Sequence, residues 1–310
     1  MKAPLPVVEG VAPSRQHLPP GPWRTVLEFL TERHPNVGEA VWLSRMERGE
    51  VVDERGARLD ARSAYRAGGC VFYYREPPTE TPVPFEERVV YSDEHILVAD
   101  KPHFLSVVPA GRFSRETLLA RLKRRTGLET LVPVHRIDRE TAGLVLFSHD
   151  PATRGLYTSL FQRREVEKVY EALAPALDVP DFPHTRRSRI VRGEPFFRMK
   201  EVEGGPNSET HIEVIETHVG VTDGADSSTS HEGAGLINLY RLRPVTGRKH
   251  QLRLHLSAMG APVVNDRLYP EVMPDEPDDF SRPLKLVARG LSFRDPVTGR
   301  VRRFESELKL

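Results

Sequence analysis

A single cysteine, Cys70, in 310 residues excludes an intramolecular disulfide and any cysteine-based zinc cluster, so neither oxidation nor a structural metal is expected to hold the fold. Apolar residues make up 38% of the chain, yet no apolar run approaches the ~18 residues that suggest a membrane span. The opening Met1-Lys2-Ala3-Pro4-Leu5-Pro6 lacks the apolar segment of a secretory signal. A globular, cytoplasmic protein with no membrane partner is the expectation. Two families of hydrolase chemistry are also missing from the motifs. There is no Gly-x-Ser-x-Gly and no His-Glu-x-x-His, and His250 and His255 are five apart, not the four that places two ligands on one helical face. No glycine-rich nucleotide-binding pattern occurs either, so no metal and no cofactor are expected. The formal net charge of +1 and a pI near 8.0 fall short of a basic nucleic-acid domain.

The distribution of charge says more than its sum. Basic residues gather at Arg121, Lys123, Arg124 and Arg125, at Arg163 and Arg164, and at Arg186, Arg187, Arg189, Arg192, Arg198 and Lys200, while acids collect between Glu271 and Asp279. Such stripes can hold phosphates even in a balanced chain. Each alone reads equally as a solvated face, and only convergence on one surface decides between the two.

The most informative stretch is His135-Arg136-Ile137-Asp138-Arg139-Glu140-Thr141-Ala142-Gly143-Leu144-Val145-Leu146-Phe147. It sets one carboxylate between two arginines ahead of an apolar run that reads as a buried strand. Flanking cations depress a carboxylate's pKa, which makes Asp138 a candidate nucleophile or base that stays ionised at neutral pH. The same residues fit a structural Asp that caps a turn and pairs with Arg136 or Arg139.

This stretch resembles the catalytic motif of the RluA-type pseudouridine synthases, a pattern close to His-Arg-Leu-Asp-Arg-x-Thr-Ser/Ala-Gly-Leu. The resemblance continues on both sides. Residues 91–102 resemble that family's strand and Lys-Pro turn, ending here at Lys101-Pro102. Phe161, Val166, Lys168 and Tyr170 sit as in its Phe-x4-Val-x-Lys-x-Tyr segment, and Gly247-Arg248-Lys249-His250-Gln251-Leu252-Arg253-Leu254-His255 resembles its Gly-Arg-x-His-Gln-Ile-Arg-x-His element. Two departures stand out. The stretch after Lys101-Pro102 lacks the usual Gly-Leu and His pattern, and Val287-Ala288-Arg289 stands where many members have His-Ala.

The chain divides by composition. Residues 1–20 hold five prolines and little apolar content, so a disordered arm is expected. From Trp23 the apolar spacing turns helical, with Val26, Leu27 and Leu30 and then Ala40, Val41, Leu43 and Met46, and short strands follow up to residue 74. Residues 21–76 resemble a small alpha-L RNA-binding domain; a helical cap on the main domain fits them too. Residues 77–84, with four prolines, read as a linker. Residues 85–310 are expected to form the catalytic domain, an α+β fold with a large mixed sheet and peripheral helices. Strands are expected at 89–91, 96–99, 144–147, 169–174, 211–215 and 236–242, and helices at 115–125, 151–163 and 250–259. Residues 217–235 read as a Ser/Gly/Asp-rich loop. The resemblance implies that the sheet is mainly antiparallel, with a cleft across its middle.

It also implies the chemistry, the isomerisation of uridine to pseudouridine in ribosomal or transfer RNA by a monomer. That reaction consumes no electrons and no phosphate, so it needs no cofactor. The resemblance makes Asp138 the essential residue, pairs Arg253 with it and makes Tyr170 the ring that stacks on the target base; unaided, the sequence reads Arg253 as a residue of an amphipathic helix and Tyr170 as a strand aromatic. Substrate-binding candidates are Arg112, His135, Arg136, Arg248 and Lys168, which shares a strand face with Tyr170. An RNA-binding or ribosome-assembly factor that has lost catalysis on the same fold is the alternative.

Overall fold

A computed structural model describes residues 3–75, 80–111, 113–219 and 235–310. Arg112, residues 77–79 of the expected linker and most of the expected loop at 217–235 lie outside the described residues. The chain separates into two compact units, Met1–Thr81 with Val108–Glu129, and Pro82–Val107 with Thr130–Leu310. The second unit therefore does not run unbroken from residue 85, because residues 108–129 cluster with the N-terminal ones.

In the first unit, β1 (Ser14–His17), α1 (Val26–Arg33), α2 (Glu39–Glu47), β2 (Val51–Asp53) and β3 (Cys70–Tyr73) build a sheet of order β1-β3-β2 with two helices. The start of α1 is set by Thr25 and Glu28, which cap each other's backbone N–H groups. Phe29, Leu30 and Trp42 bury their side chains against Val51, Val71 and Tyr73. Order reaches into the stretch expected to be a disordered arm: β1 pairs with β3, and Leu18 is part of this core. Proline density there marks an edge strand, which donates few ladder bonds, not the absence of one.

Among the described residues, the second unit is built on one sheet of eleven strands. They are β4 (Arg88–Ser92), β5 (Ile96–Lys101), β6 (Val132–Pro133), β7 (Ala142–Ser148), β8 (Val166–Pro175), β9 (His184–Arg192), β10 (Met199–Val202), β11 (Ser208–Val219), β12 (Leu236–Pro244), β13 (Leu286–Arg294) and β14 (Val301–Glu305). Between β5 and β6 the chain makes α3 (Leu118–Thr126), which belongs to the first unit. The main order is β10-β9-β11-β12-β8-β13-β7-β5-β4, with β14 on β13 and β6 on β7. Pairing is antiparallel throughout except for β13 with β7, so the expected mixed, mainly antiparallel sheet is what forms. Two helices of this unit, α4 (Arg154–Gln162) and α5 (Gln251–Ala258), cover separate parts of it. Tyr157 and Leu160 of α4 pack with Ile96, Leu146 and Val166, and Leu252 and Leu256 of α5 pack with Ala172, Ala174 and Tyr240. No helix among the described residues is long and apolar enough to cross a membrane.

Strand β8 joins the two cores. Its side chains alternate, so Val166, Lys168, Tyr170, Ala172 and Ala174 share one face. Val166 belongs to the α4 core and the two alanines to the α5 core. Lys168 and Tyr170 lie between them, where the sheet face is not closed by a helix and a cleft opens.

The parallel contact of β7 with β13 depends on Gly143. Its φ of +111° is a conformation that L side chains rarely adopt, and a Cβ there would run into the carbonyl oxygen of Ala288 and lie 2.6 Å from its nitrogen. Gly143→Ala is expected to lower stability by about 3 kcal/mol through strain and overpacking, read by urea denaturation followed by tryptophan-independent circular dichroism. A variant with the wild-type midpoint would contradict the close approach of these strands.

Candidate active site

The loop between β6 and β7 places Arg136, Ile137, Asp138 and Thr141 on one wall of the cleft, β8 supplies Lys168 and Tyr170, the turn from β12 into α5 supplies Thr246, Gly247, Arg248 and His250, and the first turn of α5 supplies Arg253. Counting the space open to solvent, the cleft encloses about 510 Å³. The three residues that the sequence reading put at the centre, Asp138, Tyr170 and Arg253, thus line a single cavity from three separate elements. Arg136, Lys168 and Arg248 join them.

Arg253 is the fixed point. Its side chain is 1% exposed, and Nε and Nη2 donate to the two oxygens of Asp266 at 2.7 and 2.6 Å. Asp266 is itself fully buried, and it also accepts from the backbone N–H groups of Leu268 and Tyr269. A two-pronged pair of this kind fixes the plane of the guanidinium. Nη1 remains buried without a hydrogen-bond acceptor. It points between two carboxylates, 3.6 Å from Asp138 and 3.7 Å from Glu140. Burial pulls the Arg253 pKa down, but its hydrogen bonds and charge pairing with Asp266, aided by Asp138 and Glu140, leave it above the ordinary value.

The loop bearing Asp138 is held from behind by its backbone. Lys101, fully buried, donates from Nζ to the carbonyls of Pro102 at 2.9 Å and Arg139 at 3.0 Å. His103 donates from Nδ1 to the carbonyl of Glu140 at 2.6 Å. Burial lowers the Lys101 pKa to about 7, against the pull of Glu140 and Asp138. The Lys-Pro turn therefore positions the loop, a role that its sequence does not announce. Gln251 does the same for the opposite wall: its Oε1 accepts from Thr246 Oγ1 and from the Arg248 N–H, while Nε2 donates to Glu209 O and Thr210 Oγ1.

The electrostatics of Asp138 differ from the expectation. Arg136 and Arg139 are not its partners. Arg139 pairs with Asp278 and Glu140, and Arg136 is exposed on the cleft wall. Burial is the largest influence and raises the Asp138 pKa, with Arg253 and then Lys249 opposing it and Asp266 adding to it. Sequence adjacency suggested the wrong cations because a loop residue's side chains diverge from those of its neighbours. Tyr170 is likewise raised, by burial and then by the Asp138 charge, so its phenol stays protonated. Lys168 is lowered by burial and then by Arg164. His250 lies with Nε2 4.0 Å from Asp138 and Nδ1 3.0 Å from the Tyr269 hydroxyl. Burial and then Arg253 bring it to about 3, a neutral ring at physiological pH.

His135 is placed differently from the other candidates. It does not line the cleft: its Nε2 accepts from the Leu146 N–H at 3.0 Å, and its ring stacks on Phe161 with centroids 4.6 Å apart. The β9 cluster does not converge on one surface either. Alternation sends Arg186 and Arg192 to one face and Arg187 and Arg189 to the other, and Arg186 and Arg187 are paired with Glu201 and Glu209.

Asp138 also makes a prediction about stability. Its folded pKa is raised above the unfolded value, so the folded state favours the neutral carboxyl, and the stability that this form supplies is lost as pH rises through the folded pKa. Asp138→Asn mimics the neutral form. It is expected to melt higher than wild type at neutral pH, and the difference is expected to vanish below the ordinary carboxylate range, as read by calorimetry across pH. A variant less stable than wild type at neutral pH would show that Arg253 outweighs burial.

The sequence of residues 95–258 matches the RNA pseudouridylate synthase family. A dual-specificity RNA pseudouridine synthase RluA of Vibrio vulnificus is 31% identical, over 71% of this chain and 81% of its own. The mitochondrial tRNA pseudouridine(32) synthase of Saccharomyces cerevisiae is 28% identical, over 72% of this chain and 46% of its own. Among solved structures, human RNA pseudouridylate synthase domain containing 1 superposes with a TM-score of 0.57 at 25% identity, covering 74% of this chain and 86% of that one. A match over more than half of the chain, joined to a fold and a cleft that agree with it, establishes that the chain is a pseudouridine synthase of the RNA pseudouridylate synthase family, of the RluA type.

Proposed function

We propose that this chain converts specific uridines of ribosomal or transfer RNA into pseudouridine, with Asp138 as the essential carboxylate and without a cofactor. The single observation that carries the reading is the aim of Arg253. Held by Asp266 through two nitrogens, it turns the third towards Asp138 in a cleft that also presents the Tyr170 ring. A relative that carries the name of a tRNA pseudouridine(32) synthase, and another named dual-specificity, support RNA as the substrate.

The isomerisation breaks the bond between the sugar C1′ and the base N1 and forms one from C1′ to C5; the proton on C5 leaves and N1 gains one, so nothing is consumed. The residues suit these demands in turn. Arg253 orients the Asp138 carboxylate towards the sugar or base and favours its ionised form at the pH of the cell. The Tyr170 ring offers a face on which a base can rest while it turns over, a contact worth ~1–3 kcal/mol. Its protonated hydroxyl carries no charge to repel Asp138. A uridine must leave its stack to enter the cleft, which costs a few kcal/mol. Arg136, Arg248 and Lys168, on the cleft walls, supply cations for the flanking phosphates, and the first unit is read as an accessory RNA-binding domain.

The raised Asp138 pKa gives the pH dependence its sign. Protonation removes the working form, so the single-turnover rate is expected to fall on acidification with a midpoint above the usual carboxylate range. The decisive comparison uses RNA from cells lacking the protein, treated with wild type or Asp138→Ala at concentrations where both bind, with pseudouridine quantified by mass spectrometry and mapped by chemical labelling. Wild type is expected to restore pseudouridine at defined positions and Asp138→Ala to restore none, a loss of more than about a thousandfold. Equal conversion by the two proteins would overturn the assignment and favour a binding factor on the same fold.

A further inference from the structure

The turn between β9 and β10, residues 193–198, carries the most exposed large aromatic among the described residues, Phe196, at 77%. A lone apolar side chain on a surface needs no explanation; this one is presented. Its ring rests edge-on against Phe197, with centroids 5.5 Å apart. The backbone beneath it is tied to the catalytic cleft at several points. Lys249, between the cleft residues Arg248 and His250, donates to the carbonyl of Phe197 at 2.7 Å. Arg198 donates to the carbonyl of Pro270 and lies over the Tyr269 ring, 5.0 Å from its centroid. The Tyr269 hydroxyl accepts from the Met199 N–H at 2.9 Å and meets His250 Nδ1 at 3.0 Å. These contacts hold residues 197–199 of the hairpin against residues that neighbour the cleft in the chain and in space.

We propose that this hairpin is a base-stacking prong, in which the Phe196 ring packs against an unpaired nucleobase of the bound RNA beside the uridine held in the cleft. The inference rests on the reading of RNA as the substrate. Charge selects a polyanion over an apolar protein surface: Arg192, Arg198, Lys200 and Lys249 lie about the tip against Glu194 and against Glu271, which follows the Pro270 carbonyl that Arg198 binds, so the cations outnumber the carboxylates. Of the acidic segment that follows Pro270, Asp278 is paired with Arg139 and Glu276 lies 3.9 Å from Arg267. An aromatic face set among cations is the combination by which single-stranded bases are held without a sequence code. The Phe196 side chain is too exposed to support the core, so its ring is free for such a partner.

The test is binding of the full-length protein to a fluorescein-labelled RNA stem–loop with a uridine-containing single-stranded loop, read by anisotropy. Phe196→Ala is expected to weaken binding about tenfold, the order of one lost base–aromatic stack. Phe196→Leu, apolar without a π face, is expected to lose as much, and Phe196→Tyr to bind like wild type. The dependence of affinity on salt is expected to stay unchanged in all three, because no phosphate contact is removed. Wild-type affinity in Phe196→Ala overturns the proposal, whether or not that variant loses a protein partner, and so does rescue by leucine. Conversion of uridine in RNA from cells lacking the protein is measured alongside. Binding that depends on the Phe196 ring in a protein that makes no pseudouridine would defeat the catalytic reading and uphold the prong; full conversion with binding indifferent to Phe196 would do the reverse.

Discussion

The buried pair of Arg253 and Asp266 is the interaction on which the site depends. A guanidinium removed from water must find acceptors or it destabilises the fold by several kcal/mol. Asp266 meets two of its nitrogens and no more. The remaining one is aimed across the cleft, and the loop between β6 and β7 brings Asp138 and Glu140 to it. Three carboxylates thus surround one arginine, with Lys101 buried behind the same loop. Asp266 is fully bonded, by Arg253 and by the Leu268 and Tyr269 N–H groups, whereas the third nitrogen of Arg253 has no hydrogen-bond acceptor, and that shortfall is what a site leaves for its substrate to complete. The distance from Asp138 to Nη1, longer than a hydrogen bond, orients the carboxylate without occupying it.

Around that pair the fold acts as a set of clamps. Strand β8 runs between two helix-covered cores and leaves its middle open, which is why a cleft exists on that face of the sheet. Gly143 lets β7 lie against β13 closely enough to fix the end of the loop that bears Asp138. Lys101 and His103 grip the carbonyls of that loop, so part of its position is set through its backbone. Rigid walls of this kind make the geometry a property of the protein before RNA arrives.

Much of this was legible in the sequence, and the reasons it was or was not are physical. The apolar run from Leu144 to Phe147 becomes a fully buried strand, as its lack of alternation requires, and the three central residues come together from a loop, a strand and a helix that each carry a recognisable motif. Asp266 was not legible. It lies in an irregular segment with no period, and only the fold brings it beneath α5. Strand β9 was hidden because arginines on both faces of an edge region look like a solvated loop, and β13 because its Gly290 and two arginines break the pattern. The reading of Asp138 as a carboxylate with a depressed pKa failed for a different reason. The flanking arginines are neighbours in the chain and not in space, while burial, invisible in sequence, outweighs Arg253, the cation that does face it. The departure at Val287-Ala288-Arg289 acquires a use in the structure, since Arg289 pairs with Glu171 at 2.7 Å and donates to the carbonyls of Ser306 and Leu308, which ties the C-terminal residues to the sheet.

The central claim is that Asp138 works only because Asp266 holds Arg253 in place. The most direct measurement is the single-turnover rate of pseudouridine formation by Asp266→Asn on RNA from cells lacking the protein, at saturating enzyme. A rate at least about a hundredfold below wild type, with RNA affinity unchanged, is the result predicted for a residue that orients the reacting groups. A wild-type rate in a folded Asp266→Asn protein would contradict it.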